Sequence, residues 1–130
     1  MKTFLVLGAG TAGTMMARKL ANTLDASQWK VIVVDKNTEH YYQPGFLFVP
    51  FGMYGKDQVV KPIKNYIARN VELVQSAVEA LEPAENKVTL ANGRVINYDF
   101  LLIATGAELH PEETEGMKDG GWRQNIFDFY

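Results

Sequence analysis

The sequence predicts an α/β fold in which a parallel β-sheet is accompanied by an antiparallel β-meander. Three observations predict this fold. A glycine-rich segment lies between an apolar run and an amphipathic pattern, a second apolar run ends at Asp35, and the pair Asn92-Gly93 joins two alternating stretches. Apolar runs separated by a helical pattern are typical of a β–α–β unit, whose strands pair in parallel. An Asn-Gly pair between alternating stretches is typical of a β-hairpin.

The first strand and helix are predicted from the beginning of the sequence. Thr3 to Leu7 form a short apolar run with β-branched side chains, which predicts a buried strand. Apolar residues then recur every four positions, which predicts a helix with one apolar face. That face contains Ala12, Met16, Leu20 and Leu24, with Ala17 between them.

The segment between this strand and this helix reads GAGTAG at positions 8–13, a G-x-G-x-x-G motif. Its place after a strand and at the start of a helix predicts a Rossmann-like, three-layer domain that binds an adenine dinucleotide. Gly8 permits a tight turn, Gly10 lets a pyrophosphate approach the backbone, and Gly13 lets the helix lie close to the strand. The free amides at the helix start, around Thr11 and Ala12, then face the phosphates. The alternative is a glycine-rich turn that binds no ligand.

Asp35 completes the predicted unit. Gln28 to Val34 read as the next buried strand, and Asp35 ends it. Asp35 lies about 20 residues beyond the glycine motif, the spacing of an acid that bonds the ribose of adenosine. An Asp at this place also occurs as a simple strand cap. Lys36 is a further candidate for a ligand contact, either along an adenine or near a 2′-phosphate. The alternative, which we favour, is that Lys36 is a solvated loop residue.

Composition excludes several classes of function. The 130 residues include 13 Lys and Arg against 15 Asp and Glu, so the formal net charge is −2 and no nucleic-acid partner is expected. Cysteine is absent, which excludes disulfides and thiolate metal sites within these residues. His40 and His110 form no metal motif, so we expect two solvated loop histidines and no metal. No apolar run is long enough to span a bilayer, so we expect a cytoplasmic chain.

The stretch from His40 to Gly55 is apolar and aromatic but has no strand or helix period. Such a patch is unfavourable in water, so we expect it to pack on the core, on a flat aromatic ligand or on a further segment. Packing on the core and between domains explains most of these side chains. Only Tyr42, Gln43 and Pro44 are predicted to lie beside a ligand.

The rest of the chain is predicted to be mainly β-structure. Val59 to Ile67 have the spacing of a short helix, and Val71 to Gln75 read as a third parallel strand. Three alternating stretches follow, at 76–82, 87–91 and 94–98, and the Asn-Gly turn joins the last two. They predict the meander, which is uncommon in a purely nicotinamide-binding unit because another helix usually follows there.

The last predicted strand is Asp99 to Gly106, a near-continuous apolar run that indicates a buried strand. It closes with Ala104, Thr105 and Gly106, small residues that suit a close approach of the backbone to a ligand or to the first glycine loop. The alternative is that Gly106 only turns the chain. We therefore place a dinucleotide-binding domain at residues 1–106.

Residues 107–130 are predicted to be a connector that leads toward a further domain. They are first acidic and rich in Gly and Pro, and then turn apolar at Ile126, Phe127, Phe129 and Tyr130. These side chains either return to the core or belong to a chain cut from a longer protein. Self-association through this tail and through residues 46–51 is a further expectation.

Together these residues resemble the flavoprotein superfamily of pyridine nucleotide-disulfide oxidoreductases. The resemblance rests on GAGTAG at 8–13, on Asp35, on the meander, and on YDFLLIATG at 98–106, which looks like the second signature of these flavoproteins. Within the superfamily, HYYQPGFLFVPFG at 40–52 and the tail beyond residue 106 resemble the sulfide:quinone oxidoreductase group. Flavocytochrome c sulfide dehydrogenases and type II NADH dehydrogenases are similar relatives.

The resemblance implies a noncovalently held FAD, with its pyrophosphate on the loop at 8–13 and its ribose on Asp35. The further contacts implied by position are the backbone of Val78 at the adenine, Ala104, Thr105 and Gly106 near the pyrophosphate and ribityl chain, and Tyr42, Gln43 and Pro44 near the isoalloxazine. In sulfide:quinone oxidoreductases, sulfide is oxidised at a redox-active cysteine pair beside the flavin. Two electrons then pass through FAD to a quinone at a membrane-facing pocket.

The absence of cysteine departs from this family pattern, so no catalytic residue is assigned. We expect the sequence to be the N-terminal FAD-binding part of such an enzyme, inactive on its own. Sulfide, quinone and peripheral contact with the inner membrane then belong to the full-length protein. The alternatives are an NAD-dependent dehydrogenase, for which Asp35 favours NAD over NADP, and a non-catalytic module that binds a nucleotide or forms oligomers.

Overall fold

A computed structural model describes residues 1–128 of the chain. These residues form two compact units. The first unit contains residues 1–41 and 60–105, and the second contains residues 42–59 together with the described residues from 106 onward. Phe129 and Tyr130, which the sequence assigns to the apolar tail, lie outside the described residues.

The first unit contains one α-helix and nine β-strands within the described residues. In chain order these are β1 (Lys2–Leu7), α1 (Thr11–Thr23), β2 (Trp29–Asp35), β3 (Glu39–Tyr41), β4 (Val60–Pro62), β5 (Val71–Gln75), β6 (Val78–Glu82), β7 (Lys87–Leu90), β8 (Val95–Asn97) and β9 (Phe100–Ile103). A second short helix, α2 (Lys56–Val59), belongs to the second unit and precedes β4 in the chain.

Four of these strands form the predicted parallel sheet, in the order β5-β2-β1-β9. Leu7, the last residue of β1, pairs with Val34 in β2 and with Ile103 in β9. The carboxyl ends of these three strands are therefore level with one another. In open α/β sheets, ligands bind outside the carboxyl ends of the strands.

The antiparallel meander is also present, as a separate sheet in the order β6-β7-β8. Its second turn is the predicted Asn-Gly hairpin. Gly93 has a φ of +82° and donates its amide to the carbonyl of Leu90 at 2.8 Å, while the amide of Leu90 donates to Arg94 at 2.9 Å. A positive φ at this position favours glycine, which explains why the turn is read correctly from the sequence.

Buried side chains fill both faces of the parallel sheet, so the first unit has three layers. One cluster joins the sheet to the meander, and its members are Leu5, Leu7, Ile32, Val34, Val74, Val88, Leu90, Ile96 and Tyr98. The other lies on the face that carries α1, and its members are Val6, Ala9, Ala17, Val31, Val33, Ile63 and Val71. Helix, parallel sheet and meander form the three-layer, Rossmann-like arrangement that the sequence predicts.

Two predictions about burial were wrong. Gly13, Thr14 and Ala17 are the buried residues of α1, whereas Ala12 and Met16 are exposed, because the glycine face of the helix is the one that contacts β1. The last strand was expected to be buried, but β9 forms an edge of the sheet, and Phe100 and Ile103 are more than half exposed.

The predicted helix at Val59–Ile67 was also wrong. Residues 60–62 instead form β4, which pairs antiparallel with β3 through the partners His40 and Lys61, and a 3₁₀ turn follows at Ile63–Asn65. Pro62 accounts for much of this, since proline disfavours the helical conformation in the residue before it. Ile63 is buried all the same, because the 3₁₀ turn directs it into the α1 side of the core.

The second unit consists mostly of turns. A 3₁₀ helix covers Gln43–Phe48, α2 follows, and the amide of Tyr42 donates to the carbonyl of Val59 at 2.8 Å. A further 3₁₀ turn covers Pro111–Glu113, and an isolated bridge joins Trp122 to Ile126. Within the described range, no helix has the length and apolar character needed to cross a membrane.

Candidate functional site

The glycine loop at 8–13 lies at the carboxyl end of β1, and two of its glycines are required by the fold itself. Gly8 has a φ of +100°, and a Cβ at this position would overlap the carbonyl of Ala104. A Cβ on Gly13 would overlap the carbonyl oxygen of Gly8 and lie 3.5 Å from the side chain of Val6. These contacts agree with the predicted tight turn at Gly8 and close helix packing at Gly13.

Gly10 differs from these two glycines. Its φ is −70°, which any residue adopts, and a Cβ built on it would meet no atom within 4 Å. Neither backbone strain nor packing within the described residues therefore accounts for glycine at this position. An open surface over the Cα of Gly10 is what the close approach of a pyrophosphate requires.

The start of α1 offers hydrogen-bond donors beside this open surface. Gly10 is the N-cap residue and makes no side-chain capping bond. Its carbonyl accepts bonds from the amide of Thr14 at 3.0 Å and the hydroxyl of Thr14 at 2.8 Å. The amides of residues 10–13, by contrast, have no acceptor among the residues that the structure describes. Free amides and the positive end of the helix dipole form a site suited to an anion.

Asp35 lies at the carboxyl end of β2 and reaches the glycine loop. Its Oδ2 accepts the backbone amide of Ala9 at 2.6 Å, and its Oδ1 accepts the amide of Asn37 at 2.7 Å. The carboxylate is thus fixed between the loop and the strand end. Carboxylate oxygens have further acceptor positions, so a sugar hydroxyl can still donate to the same group.

Ala104 and Thr105 complete the carboxyl edge of the sheet. The amide of Ala104 donates to Leu7 at 2.7 Å, and its carbonyl lies against Gly8. Thr105 is exposed. The structure therefore brings the second predicted signature next to the first glycine of the motif, as the small residues of that signature suggested.

Two other predicted contacts belong to the first unit. Lys36 is exposed in the loop after β2. Val78 begins β6, pairs with Leu90 and is 38% exposed, and the strand register is irregular between Val78 and Ala80. An irregular register leaves some backbone groups of a strand without a ladder partner. The roles of both residues at an adenine remain predictions.

The remaining predicted contacts belong to the second unit. Tyr42 precedes the 3₁₀ helix that Gln43 and Pro44 begin, and all three are exposed. Gly106 has a φ of +76° and open space at its Cβ position. Their assignment to the pyrophosphate and isoalloxazine remains a prediction.

His40 is a site residue that sequence reasoning missed. We expected a solvated loop histidine, but His40 is only 8% exposed, in the middle of β3. Its Nδ1 lies 3.1 Å from the carbonyl oxygen of Ala9, and its ring lies 4.4 Å from the ring of Tyr66, centroid to centroid. The only available signal was its position a few residues after Asp35. His110, in contrast, is exposed and contacts Glu112 at 3.0 Å.

The groups at this site are suited to binding a ligand. The residues at the carboxyl edge supply amides, one carboxylate and one buried imidazole. Among residues 1–128, no group of three or more His, Cys, Asp and Glu side chains is placed to hold a metal ion. The arrangement suits a ligand that joins a diphosphate to a sugar, and any redox chemistry then comes from that ligand.

Comparisons with known proteins identify the family of the chain. The family model described as pyridine nucleotide-disulphide oxidoreductase matches residues 2–128. A mitochondrial sulfide:quinone oxidoreductase of Dictyostelium discoideum is 27% identical over 97% of this chain and 28% of its own length. A type II NADH:quinone oxidoreductase of Staphylococcus aureus is 29% identical over 91% of this chain and 29% of its own length.

A solved structure has a similar fold. The sulfide:quinone oxidoreductase of Aquifex aeolicus superimposes with a TM-score of 0.78 and 26% sequence identity. The match covers 92% of this chain and 27% of that one. The chain therefore spans between a quarter and a third of the length of the proteins that it resembles.

Proposed function

Because this chain belongs to the pyridine nucleotide-disulphide oxidoreductase family, we propose that it binds FAD as the cofactor-binding part of a flavin-dependent oxidoreductase of the sulfide:quinone type. The main support for this proposal comes from Gly10. Its open surface and ordinary φ leave the glycine without a role in the fold, and a bound pyrophosphate supplies that role. The free amides of residues 10–13 support it, since they would otherwise be satisfied by water alone.

Each predicted contact residue has a distinct part in the proposed site. The amides of residues 10–13 hold the pyrophosphate, and Asp35 accepts a hydroxyl of the adenosine ribose. The backbone of Val78 lies at the adenine, and Ala104, Thr105 and Gly106 approach the pyrophosphate and ribityl chain. Tyr42, Gln43 and Pro44 lie beside the isoalloxazine. Lys36 stays in solvent.

When bound, FAD supplies the two-electron chemistry, and these residues bind and orient it. We propose that the complete enzyme passes electrons from sulfide to a quinone. The names of the Dictyostelium and Aquifex relatives support this assignment. The chain contains no cysteine, so the thiol chemistry of sulfide oxidation would use residues outside these 130. Peripheral contact with the inner membrane would bring that enzyme to a lipid-soluble quinone.

A second candidate is oxidation of NADH, which the staphylococcal type II NADH:quinone oxidoreductase supports. Two arrangements are then open. NADH either binds at the glycine loop itself or donates a hydride to an FAD bound there and leaves as NAD⁺. Asp35 favours NAD over NADP at the loop, since a carboxylate repels a 2′-phosphate. A competition experiment distinguishes the two arrangements. Only in the first would NADH displace FAD, because both ligands would then bind the same amides.

Two variants of Gly10 test the proposed FAD site. Gly10→Glu places a side chain and a negative charge over the amides, whereas Gly10→Gln places a side chain of the same shape without the charge. A Cβ at position 10 meets no atom within 4 Å, so both variants should fold, and an acid at a helix start is in addition favourable for the helix. We expect Gly10→Glu to abolish FAD uptake and Gly10→Gln to weaken it. FAD affinity equal to that of the wild type in Gly10→Glu, with circular dichroism showing a folded protein, would contradict the assignment.

A further inference from the structure

The Ala9 residue of the glycine loop is held on both of its backbone groups. Its amide donates to Oδ2 of Asp35 at 2.6 Å, and its carbonyl oxygen lies 3.1 Å from Nδ1 of His40. Ala9 is only 1% exposed, so water does not replace either bond. A buried backbone group that loses its partner is costly, so both contacts constrain the loop.

The contact with His40 assigns the position of a proton. A carbonyl oxygen accepts hydrogen bonds and cannot donate them, so Nδ1 of His40 must carry the hydrogen. The partner of one ring nitrogen sets the tautomer of a neutral imidazole. His40 is therefore held with a hydrogen on Nδ1, and its ring packs on that of Tyr66 at a centroid distance of 4.4 Å.

This bond also sets the direction of the next amide. The peptide bond between Ala9 and Gly10 is trans, and in a planar trans peptide the C=O and N–H groups point in opposite directions. With the Ala9 carbonyl directed at His40, the Gly10 amide must point away from His40. The Gly10 amide is the first of the free donors at the start of α1.

We propose that His40 is a positioning residue of the dinucleotide site: its Nδ1–H fixes the Ala9–Gly10 peptide plane so that the Gly10 amide faces the pyrophosphate of the ligand. This inference rests on the proposed FAD-binding function. His40 does not touch the ligand in this account and acts only through the peptide. Asp35 and His40 then hold the two sides of one residue, Asp35 from β2 and His40 from β3.

Two variants separate this role from simple packing. His40→Leu fills a comparable volume against Tyr66 but has no donor. His40→Asn carries an amide nitrogen two bonds from Cβ, the same place in the side chain as Nδ1. Tyr66→Leu serves as a control, since it removes the ring that packs on His40 and leaves the donor in place.

We expect His40→Leu to weaken FAD binding about tenfold or more, the scale of a misplaced binding group. His40→Asn should recover most of that loss, although it packs less well than Leu. Tyr66→Leu should lower the melting temperature and leave FAD affinity close to that of the wild type. Equal losses of FAD affinity in His40→Leu and His40→Asn, in proportion to their losses of thermal stability, would overturn the proposal.

A second measurement uses no ligand, so it distinguishes failure of this inference from failure of the proposed function. Imidazole ¹⁵N NMR of the ligand-free protein reports which ring nitrogen of His40 carries the proton. The Nδ1–H tautomer is expected, and the Nε2–H tautomer would overturn the proposal even in a protein that binds FAD. Failure of the wild type to bind FAD, together with the Nδ1–H tautomer, would contradict the proposed function and leave the His40–Ala9 contact established.

Discussion

The backbone amide of Ala9 donates a 2.6 Å hydrogen bond to Oδ2 of Asp35, which joins the turn after β1 to the end of β2. The same carboxylate accepts the amide of Asn37 through Oδ1. The residue that the sequence predicts as the ribose acid therefore also fixes the conformation of the glycine loop. Loss of the carboxylate should affect both folding and binding.

Replacement of Asp35 by Asn tests this double role. The amide group of Asn has a single acceptor oxygen, so one of the two backbone amides loses its partner and faces an NH₂ group instead. We expect Asp35→Asn to lower the free energy of unfolding by about 1–3 kcal/mol and to weaken FAD binding. Urea denaturation and an FAD titration measure the two effects.

Asp99 offers a matched control, because its Oδ2 accepts the amide of Thr3 at 2.7 Å near the opposite end of β1. Asp99→Asn should lower stability by about 0.5–1.5 kcal/mol and leave FAD affinity unchanged. A loss of affinity in Asp99→Asn as large as that in Asp35→Asn would show that Asp35 acts only through stability.

The two glycines Gly13 and Gly10 should respond differently to a single added methyl group. In Gly13→Ala the new Cβ would overlap the Gly8 carbonyl, which should lower the free energy of unfolding by about 1–3 kcal/mol despite the higher helix propensity of Ala. In Gly10→Ala the Cβ enters open space, so stability should change by less than about 1 kcal/mol. Thermal denaturation of both variants checks this, and equal destabilisation would contradict the separate roles.

Glu72 gives the first unit a predictable response to acid. Its carboxylate contacts Lys30 at 2.6 Å and Arg94 at 2.7 Å, and these bonds, first to Arg94 and then to Lys30, hold the pKa of Glu72 below its ordinary value of 4.5. A pKa that is lower in the folded protein contributes stability above the unfolded pKa. That contribution is lost as the pH falls from 4.5 through the folded pKa.

Glu72→Gln should therefore be less stable than the wild type at pH 7, and the difference should shrink as the pH falls below 4.5. Urea denaturation across this pH range measures it. Glu79→Gln removes the same charge at an exposed position of β6. The free energy of unfolding of this variant should stay close to that of the wild type at every pH. A Glu72→Gln difference that stays constant with pH would contradict the ion-pair account.

The exposed apolar side chains at 47–53 should promote self-association. Leu47, Phe48, Val49, Phe51 and Met53 are all exposed, and Phe51 is 73% exposed. Phe51→Lys should lower the apparent mass at high protein concentration, because a charge in an apolar contact is unfavourable. Light scattering over a wide concentration range measures it. Val95→Lys, at an exposed site of β8, is the control, and a wild type of constant single-chain mass would contradict the prediction.

The glycine loop and its acid were predictable from the sequence because their causes are local. Gly8 has a positive φ, Gly13 contacts its own β–α unit, and Asp35 is the last residue of a buried strand. The hairpin at Asn92-Gly93 was predictable for the same reason, because its turn requires the positive φ that Gly93 adopts. Patterns of this kind depend on a few neighbouring residues, so a single sequence contains them.

His40 was not predictable because its burial comes from distant parts of the chain. β3 has only three residues, and it pairs with β4 some twenty residues later. Three residues cannot show an alternating pattern, and the Tyr66 ring that covers His40 lies beyond β4. Similarly, the contact of Gly13 with β1 determines which face of α1 is buried. The apolar period does not contain this information, so it placed Met16 on the buried face although Met16 is exposed.

The most direct test of the account is an equilibrium titration of the wild-type protein with FAD, followed by the same titration in the presence of NADH. An equilibrium method is needed because it also detects binding too weak to survive a column. The account predicts saturable binding of one FAD per chain, with little competition from NADH. No saturable FAD binding by a protein that circular dichroism shows to be folded, or displacement of FAD by equimolar NADH, would contradict it.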